Sequence, residues 1–498
     1  MSDVLEIVTS KGLTYEQKVV SLAHAAEDSL QVLHIPEKTK HYMDIGAICD
    51  LYEGHAPYRP RYVMPDYQKA VQNGCEFLRL DPPEDLDELL NFLMIFYRHV
   101  PSITSFPVYL GDIDKMIEPF LDDLTDEEAV KKIKLFLNYL DRTITDGFCH
   151  ANLGPEATRA GRLILEAEKE LQNAVPNLTL KYDPDITPDD FAELALKTSL
   201  YCANPAICNH QMHKDTYEAY GVSSCYNILP VGGGSYTLTR IVLPRLVPDA
   251  RSKEQFLTEV LPDCLSRMGD YMNERIRFLV EESNFFETSF LSQEGFVNRD
   301  KFLAMFGVAG LAECTNMLME DQSKKYGHDQ EADDLAAEIM EVIAGHAAES
   351  MALYSEVCGN HFALHAQVGI DSDHGITSGV RIPIGQEPEN MFDHLRHSAR
   401  FHQFFPTGCA DIFPMETTAR NNPAGMLDIV KGAFALGDKY ISFYASDSDL
   451  VRITGYLVKR SDMEQYYKGE AVLQNTVYLG GDNYRNAGLQ NRKVRSVQ

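Results

Sequence analysis

The stretch SDLVRITGYLVKRSD, residues 448–462, decides how the rest of the chain is read. Leu450, Val451, Ile453, Leu457 and Val458 make it strand-like, yet Gly455 stands in its interior. A glycine there weakens a strand and marks a bulge or the close approach of another backbone. An acidic lead-in, FYASDSDLV, precedes the segment, and 43 residues follow Gly455.

Working outward, short β-branched runs recur: YTLTRIVL (236–243), GVRIPI (379–384), KYISFYA (439–445) and VRITGYLV (451–458). Long helical patterns separate them. Leu265, Met268, Met272, Ile276 and Leu279 repeat at three- and four-residue steps, as do Leu335, Ile339, Val342, His346 and Met351. Glu156 to Leu171 reads as a helix and NLTLKYD (177–183) as a strand. The next helix has Thr187 as its cap and Pro188 at its first position. Near the start, Thr14 with Gln17 three residues on forms a capping box. The proline- and tyrosine-rich stretch 57–65 reads as a loop, and an acidic helix starts after Pro82 and Pro83. Strands alternating with long helices predict an α/β protein, either a parallel-type sheet or a barrel. Residues 1–150 read as mainly helical, 151–430 as the α/β core and 431–498 as a C-terminal unit around Gly455.

The formal net charge of −29 repels phosphate backbones and anionic lipid, which argues against a nucleic-acid polymer or a membrane as partner. No apolar run reaches the roughly 18–20 residues of a membrane span, and the N-terminus has no secretory pattern. The ten cysteines are scattered, as suits a cytoplasmic protein with reduced thiols.

Arg452, Ile453, Thr454, Gly455 and Tyr456 resemble the R-[VI]-x-G-Y signature of glycyl radical enzymes, and the distance from the C-terminus suits that family. The resemblance implies that Gly455 stores an organic radical, with Arg452 and Tyr456 as its motif neighbours. There is a chemical reason for glycine. A Cα radical gains stability by delocalising into both flanking amides, which requires a planar Cα that a side chain would crowd.

In this family a cysteine on a loop inside the barrel takes the radical to the substrate. Cys225, in YGVSSCYNILPVGGGSYTLTR (220–240), is the candidate for a thiyl radical: a finger loop over 221–236 runs through Pro230 and Gly232–Gly234 into a strand. Read without the resemblance, Cys225 is a small buried hydrophobe. Cys409, in FPTGCADIFP, is the rival, or a lining residue of the substrate pocket. Further candidates for substrate or acid–base work are His210, His213, Asn227, Glu416, Asn421 and Asn422. His361, His365, Asp371, Asp373 and His374 read as a solvated loop or as pocket lining. Cys202, Cys208, His210 and His213 fall within twelve residues, but their spacing is wide for zinc and no second cysteine pair accompanies them. No bound metal is expected.

The whole chain looks like the YjjI-type glycyl radical proteins, most clearly in IVTSKGLTYEQK, SSCYNILPVGGGSYTL and GYLVKRSD. That resemblance implies a ten-stranded α/β barrel of two five-stranded half-barrels, wrapped by helices, with two finger loops meeting at its centre. It also implies a homodimer and a separate radical activating enzyme that carries S-adenosylmethionine and an iron–sulfur cluster. Known subfamilies fit less well. Tyr226 and Asn227 follow Cys225, so the G-C-x-E glutamate of the dehydratases is missing. Ser224 replaces the first of pyruvate formate-lyase's paired cysteines, and no cysteine follows Cys409 to build the zinc site of anaerobic ribonucleotide reductase. The expected activity is hydrogen abstraction from a small molecule. The alternatives are a reductase of the ribonucleotide type without its zinc site, or a non-catalytic barrel that serves as a spare radical donor. An ordinary barrel hydrolase finds no motif to support it.

Overall fold

The structure is a computed structural model that describes residues 2–366, 369–370, 373–486 and 488–497. Asp371 lies outside the described residues. The strands are β1 (Ile48–Cys49), β2 (Tyr62–Met64), β3 (Tyr109–Asp112), β4 (His150–Leu153), β5 (Asn177–Tyr182), β6 (Ala206–Asn209), β7 (Tyr220–Ser223) and β8 (Asn227–Pro230). They continue with β9 (Gly233–Val242), β10 (Phe302–Ala309), β11 (Ala363–Ala366), β12 (Asp411–Met415), β13 (Tyr440–Ala445), β14 (Leu450–Arg452) and β15 (Leu457–Lys459).

Ten of these strands follow one another around a ring, in the order β2-β3-β4-β5-β6-β13-β12-β11-β10-β9 and back to β2. Strands β3 to β6 pair in parallel, as do β9 to β11 and the pair β12 and β13. Antiparallel seams join the two halves at β6–β13 and at β2–β9. Two steps lack a ladder among the described residues. Between β11 and β12, Ala366 N–H donates to Gly408 O at 3.1 Å and Thr407 Oγ1 to Leu364 O at 2.6 Å. Between β2 and β3, Tyr67 Oη donates to Tyr109 O at 2.7 Å.

Helices close the outside because each carries one apolar stripe. In helix Leu261–Glu281, Leu265, Met268, Met272, Ile276 and Leu279 are buried against the ring. Helix Gln330–Glu349 does the same with Leu335, Ile339 and Ile343, but it ends before Met351, which is exposed. The capping box at Thr14 forms as the spacing predicts, with Gln17 N–H donating to Thr14 Oγ1 and Thr14 N–H to Gln17 Oε1. The Gln17 amide also donates to Val472 O at 2.9 Å, which ties the first helical pair to the C-terminal segment.

Local expectations fail where a side chain or a turn has another task. Pro188 itself occupies the cap position, because Thr187 Oγ1 is taken by Pro155 O and Asp183 N–H. GVRIPI is not a strand: Gly379 has a φ of 57° and Pro383 lacks an N–H to pair. The stretch 57–65 contains β2. VRITGYLV is not one strand but a hairpin, β14 and β15, with Gly455 in the turn and Ile453 N–H closing onto Tyr456 O at 3.1 Å.

Among the described residues no helix is long and apolar enough to cross a membrane.

Candidate active site

The inner face of the ring can be read along β5. All six of its residues are buried, and polar and apolar side chains alternate. Asn177, Thr179 and Lys181 share one face, as a period of two requires. Their partners change in order along the strand: Gly455 O for Asn177, Tyr440 Oη for Thr179 and Tyr220 O for Lys181. On β4, His150 approaches Gly455 O, and Asn152 takes both backbone groups of Val222 at 2.8 Å. So the Gly455 turn enters the ring at the N-terminal ends of β4 and β5, while the β7–β8 hairpin enters from the other end.

That hairpin is surrounded. Ser224 N–H donates to Val108 O beside β3, Ile228 N–H to Thr407 O before β12, and Tyr226 Oη to Ala366 O on β11. Tyr226 also lies 5.8 Å from Tyr440 on β13 and 5.4 Å from His365 on β11, ring centre to ring centre. Contacts to both halves put the hairpin inside the ring. At its tip Ser224 and Cys225 have φ values of 24° and 65°, a left-handed conformation that costs a non-glycine residue of order 1–3 kcal/mol. This bend presses the Cys225 backbone against Gly455. A Cβ built on Gly455 would fall 2.7 Å from the carbonyl carbon of Cys225 and closer still to its Cα and Cβ. Gly455 has no positive φ, so glycine is needed here for space and not for backbone freedom. The hydrogen that a side chain would replace is the one directed at Cys225.

Cys225 is buried, and burial pushes its thiol up to about 12 against the pull of the Ser224 hydroxyl and of Arg61 and Arg381. It therefore keeps its hydrogen at neutral pH. Three buried polar atoms around it have no protein partner: Ser223 Oγ, Asn227 Oδ1 and His365 Nε2. Burial lowers His365 to about 3, so its ring is neutral. Beside the Gly455 turn lies a cavity of about 340 Å³, walled by Ile453, Thr454, Arg381, Asp411 and Arg492 among others.

The motif neighbours of Gly455 are fixed in place. Arg452 is buried, and its Nη2 donates to Asn177 Oδ1 at 2.9 Å and to Ala203 O at 3.0 Å. Tyr456 packs on Phe148 with ring centres 4.8 Å apart. Arg492 donates to the carbonyls of Arg452 and Ile453 at 2.6 Å each.

Other sequence candidates fall in several places. Cys409 is buried beside the finger loop, next to Gly408, whose φ of 131° leaves no room for a Cβ against Tyr226 O. Asn227 begins β8 and its amide donates to Ser224 O, bracing the tip. His210 and His213 stay at the base of the hairpin, against Tyr220 at 5.7 and 6.0 Å, and not at its tip. Glu416, Asn421 and Asn422 are exposed, and Asn422 caps helix Pro423–Leu436 by accepting from Gly425 N–H. Cys202 gives its thiol hydrogen to Thr198 O or Asn204 O, while Cys208 packs in a different cluster with Tyr220 and Cys225. Among the described residues no three His, Cys, Asp or Glu side chains converge as a metal site. His365 and Asp373 are buried, the latter paired with Arg240 at 2.6 Å, so that stretch is not simply a solvated loop. His361 and His374 are exposed. Sequence reading missed His150, Asn152, Asn177, Arg381 and Arg492. The available signal was the polar alternation in HANL and NLTLKY.

Comparison with known proteins agrees with this architecture. Residues 13–495 match the family model "Glycyl radical enzyme YjjI-like". A protein of Haemophilus influenzae, described only as uncharacterized, is 43% identical over 504 residues, covering 99% of this chain and 98% of the relative. Two solved structures share the fold. The anaerobic ribonucleotide reductase of Thermotoga maritima, in complex with dATP and CTP, has a TM-score of 0.71 at 13% identity, over 94% of each chain. Hydroxyproline dehydratase of Clostridioides difficile has a TM-score of 0.64 at 11% identity, over 99% of this chain and 88% of the other. The ring of two five-stranded halves is the ten-stranded α/β barrel of glycyl radical enzymes. With its family match running nearly end to end, the chain belongs to the YjjI-like glycyl radical enzyme family.

Proposed function

We propose that the protein abstracts hydrogen from a small-molecule substrate under anaerobic conditions, with the radical stored on Gly455 and passed through Cys225. The observation that carries this reading is the contact between Gly455 and Cys225 inside the barrel, with no room for a side chain between them. A separate activating enzyme, holding S-adenosylmethionine and an iron–sulfur cluster, removes one hydrogen atom from the Gly455 Cα. Gly455 then takes the hydrogen atom of the Cys225 thiol: the S–H bond breaks, the Cα–H bond re-forms, and no charge develops. The thiyl radical takes a hydrogen atom from a substrate carbon. After rearrangement or elimination the product radical takes it back, which closes the cycle without an external reductant.

Two further features support the reading. A thiolate has no hydrogen to give, and burial holds Cys225 as the thiol. Ser223 Oγ, Asn227 Oδ1 and His365 Nε2 suit a substrate with hydroxyl, amide or carboxyl groups, because buried polar atoms are normally satisfied. Arg381, whose guanidinium faces Tyr226 Oη, lines the cavity beside the Gly455 turn.

The test is electron paramagnetic resonance after anaerobic activation, beside a Gly455→Ala control. A doublet from a single α-hydrogen, absent in the control, is the expected result. Air should then cut the activated chain at Gly455 and release a fragment covering the last 43 residues. No doublet from an activase that demonstrably cleaves S-adenosylmethionine, with a chain that stays whole in air, would overturn the reading.

A further inference from the structure

The carbonyl oxygen of Gly455 has two side-chain donors. Asn177 Nδ2 lies 2.8 Å from it and His150 Nε2 lies 3.2 Å from it. The two residues are direct partners in the parallel ladder between β4 and β5, and both are fully buried. Neither donor is free to turn. Asn177 Oδ1 accepts from Arg452 Nη2, which fixes the amide so that its NH2 faces Gly455. Burial, reinforced by the Arg452 charge, lowers His150 to about 3, so the ring is neutral. A carbonyl oxygen only accepts, so the single ring proton sits on Nε2, while Nδ1 has no partner.

One donor would satisfy a buried carbonyl. Here the barrel supplies two from the first residues of neighbouring strands, both fully buried, where burying an amide and an imidazole is unfavourable unless both are well bonded. It adds a buried arginine whose Nε and Nη1 find no protein partner. Such an arrangement calls for a reason beyond closing the fold.

The geometry points to Asn177 and His150 as a carbonyl clamp that sets the planarity and the energy of a radical on Gly455. This inference rests on the radical reading above. Spin at the glycine Cα delocalises onto its carbonyl oxygen. Donors aimed at that oxygen favour this delocalisation and hold the N–Cα–C=O unit in one plane. Both donors are neutral, so they polarise the oxygen without adding a charge beside Cys225. Asn177 and His150 are thus positioning residues: they make Gly455 the resting place of the radical, in balance with the thiol it must oxidise.

Electron–nuclear double resonance on the wild-type enzyme activated in D2O reads the clamp directly, with a matched sample in H2O to read the α-hydrogen doublet. Beyond the α-deuteron and the neighbouring backbone N–D deuterons, two further exchangeable deuterons coupled to the spin are expected, one from each donor. Asn177→Asp keeps the acceptor for Arg452 and removes the donor to Gly455. It should lose one coupling and widen the α-hydrogen doublet, as spin returns to Cα. His150→Ala should lose the other coupling, and His150→Gln, which restores an N–H donor, should recover it. A wild type that gives a doublet in H2O but no coupled side-chain deuterons in D2O overturns the clamp and leaves the radical standing, and this holds even if a variant fails to fold. A wild type with no doublet in H2O overturns the radical reading itself.

Discussion

A side chain on Gly455 would occupy the space already held by the Cα and Cβ of Cys225. Gly455→Ala therefore has to push the two loops apart even when no radical is present. The variant should unfold at lower temperature, by an overpacking penalty of about 1–3 kcal/mol. Gly432→Ala is the control. It lies inside helix Pro423–Leu436 with open space around it, and should be neutral or more stable. If both variants melt like the wild type, the interlock is wrong.

The same contact predicts which thiol speaks to the glycine. In D2O the thiol carries deuterium, and reversible transfer to Gly455 should collapse the wild-type doublet to a singlet. Cys225→Ala should keep the doublet and lose turnover. Cys409→Ala should still exchange, since Cys225 and not Cys409 lies against Gly455. A persistent doublet in Cys409→Ala would reverse the assignment.

Asn152 holds the finger loop by mimicking a strand: its amide takes both the N–H and the C=O of Val222. Asn152→Asp replaces the donor with a second acceptor and buries a charge. We expect a loss of about 2–4 kcal/mol and faster alkylation of Cys225, read as the labelled peptide by mass spectrometry. Unchanged labelling would mean that the hairpin is held elsewhere.

Stability should fall as the solution becomes alkaline. Burial pushes the Glu168 carboxyl from its ordinary 4.5 up to about 8, and Asp114 and Asp146 up to about 7 and 6. The folded chain then holds protons that the unfolded chain has released. This contribution is complete below the unfolded pKa values and is lost as pH rises through the folded ones. For Glu168 it amounts to at most ~5 kcal/mol. Glu168→Gln, neutral throughout, should flatten most of the decline in melting temperature between pH 7 and 8.5, above the range where the buried neutral histidines matter. An equally steep decline in that variant would show that Glu168 is not the group responsible.

The helices were legible because packing against a barrel imposes a period that a few apolar residues betray, as Leu265 to Leu279 do. Gly455 and Cys225 could be proposed because each stands in a recognisable run, VRITGY and SSCYNILPVGGG. His150 and Asn177 could not, since a lone polar residue in a strand says nothing until its inward face is known. Asn421 and Asn422 misled for the converse reason: an asparagine before Pro423 looks the same whether it binds a substrate or caps a helix. The segment around Gly455 reads as a continuous strand because its turn is held by Arg492 and by barrel side chains, none of them near in sequence.

The hydrogen bond from Gln17 to Val472 has a consequence for how the protein is made. During synthesis the first helical pair leaves the ribosome hundreds of residues before its partner exists. The hairpin carrying Cys225 likewise waits for Thr407, Tyr440 and Gly455 to arrive. Contacts of such long sequence separation slow folding and leave apolar surface exposed meanwhile. The chain must therefore be nearly finished before its interior is sealed, and a truncated copy lacking the last few dozen residues would be an unsealed vessel, a natural client for chaperones and proteases.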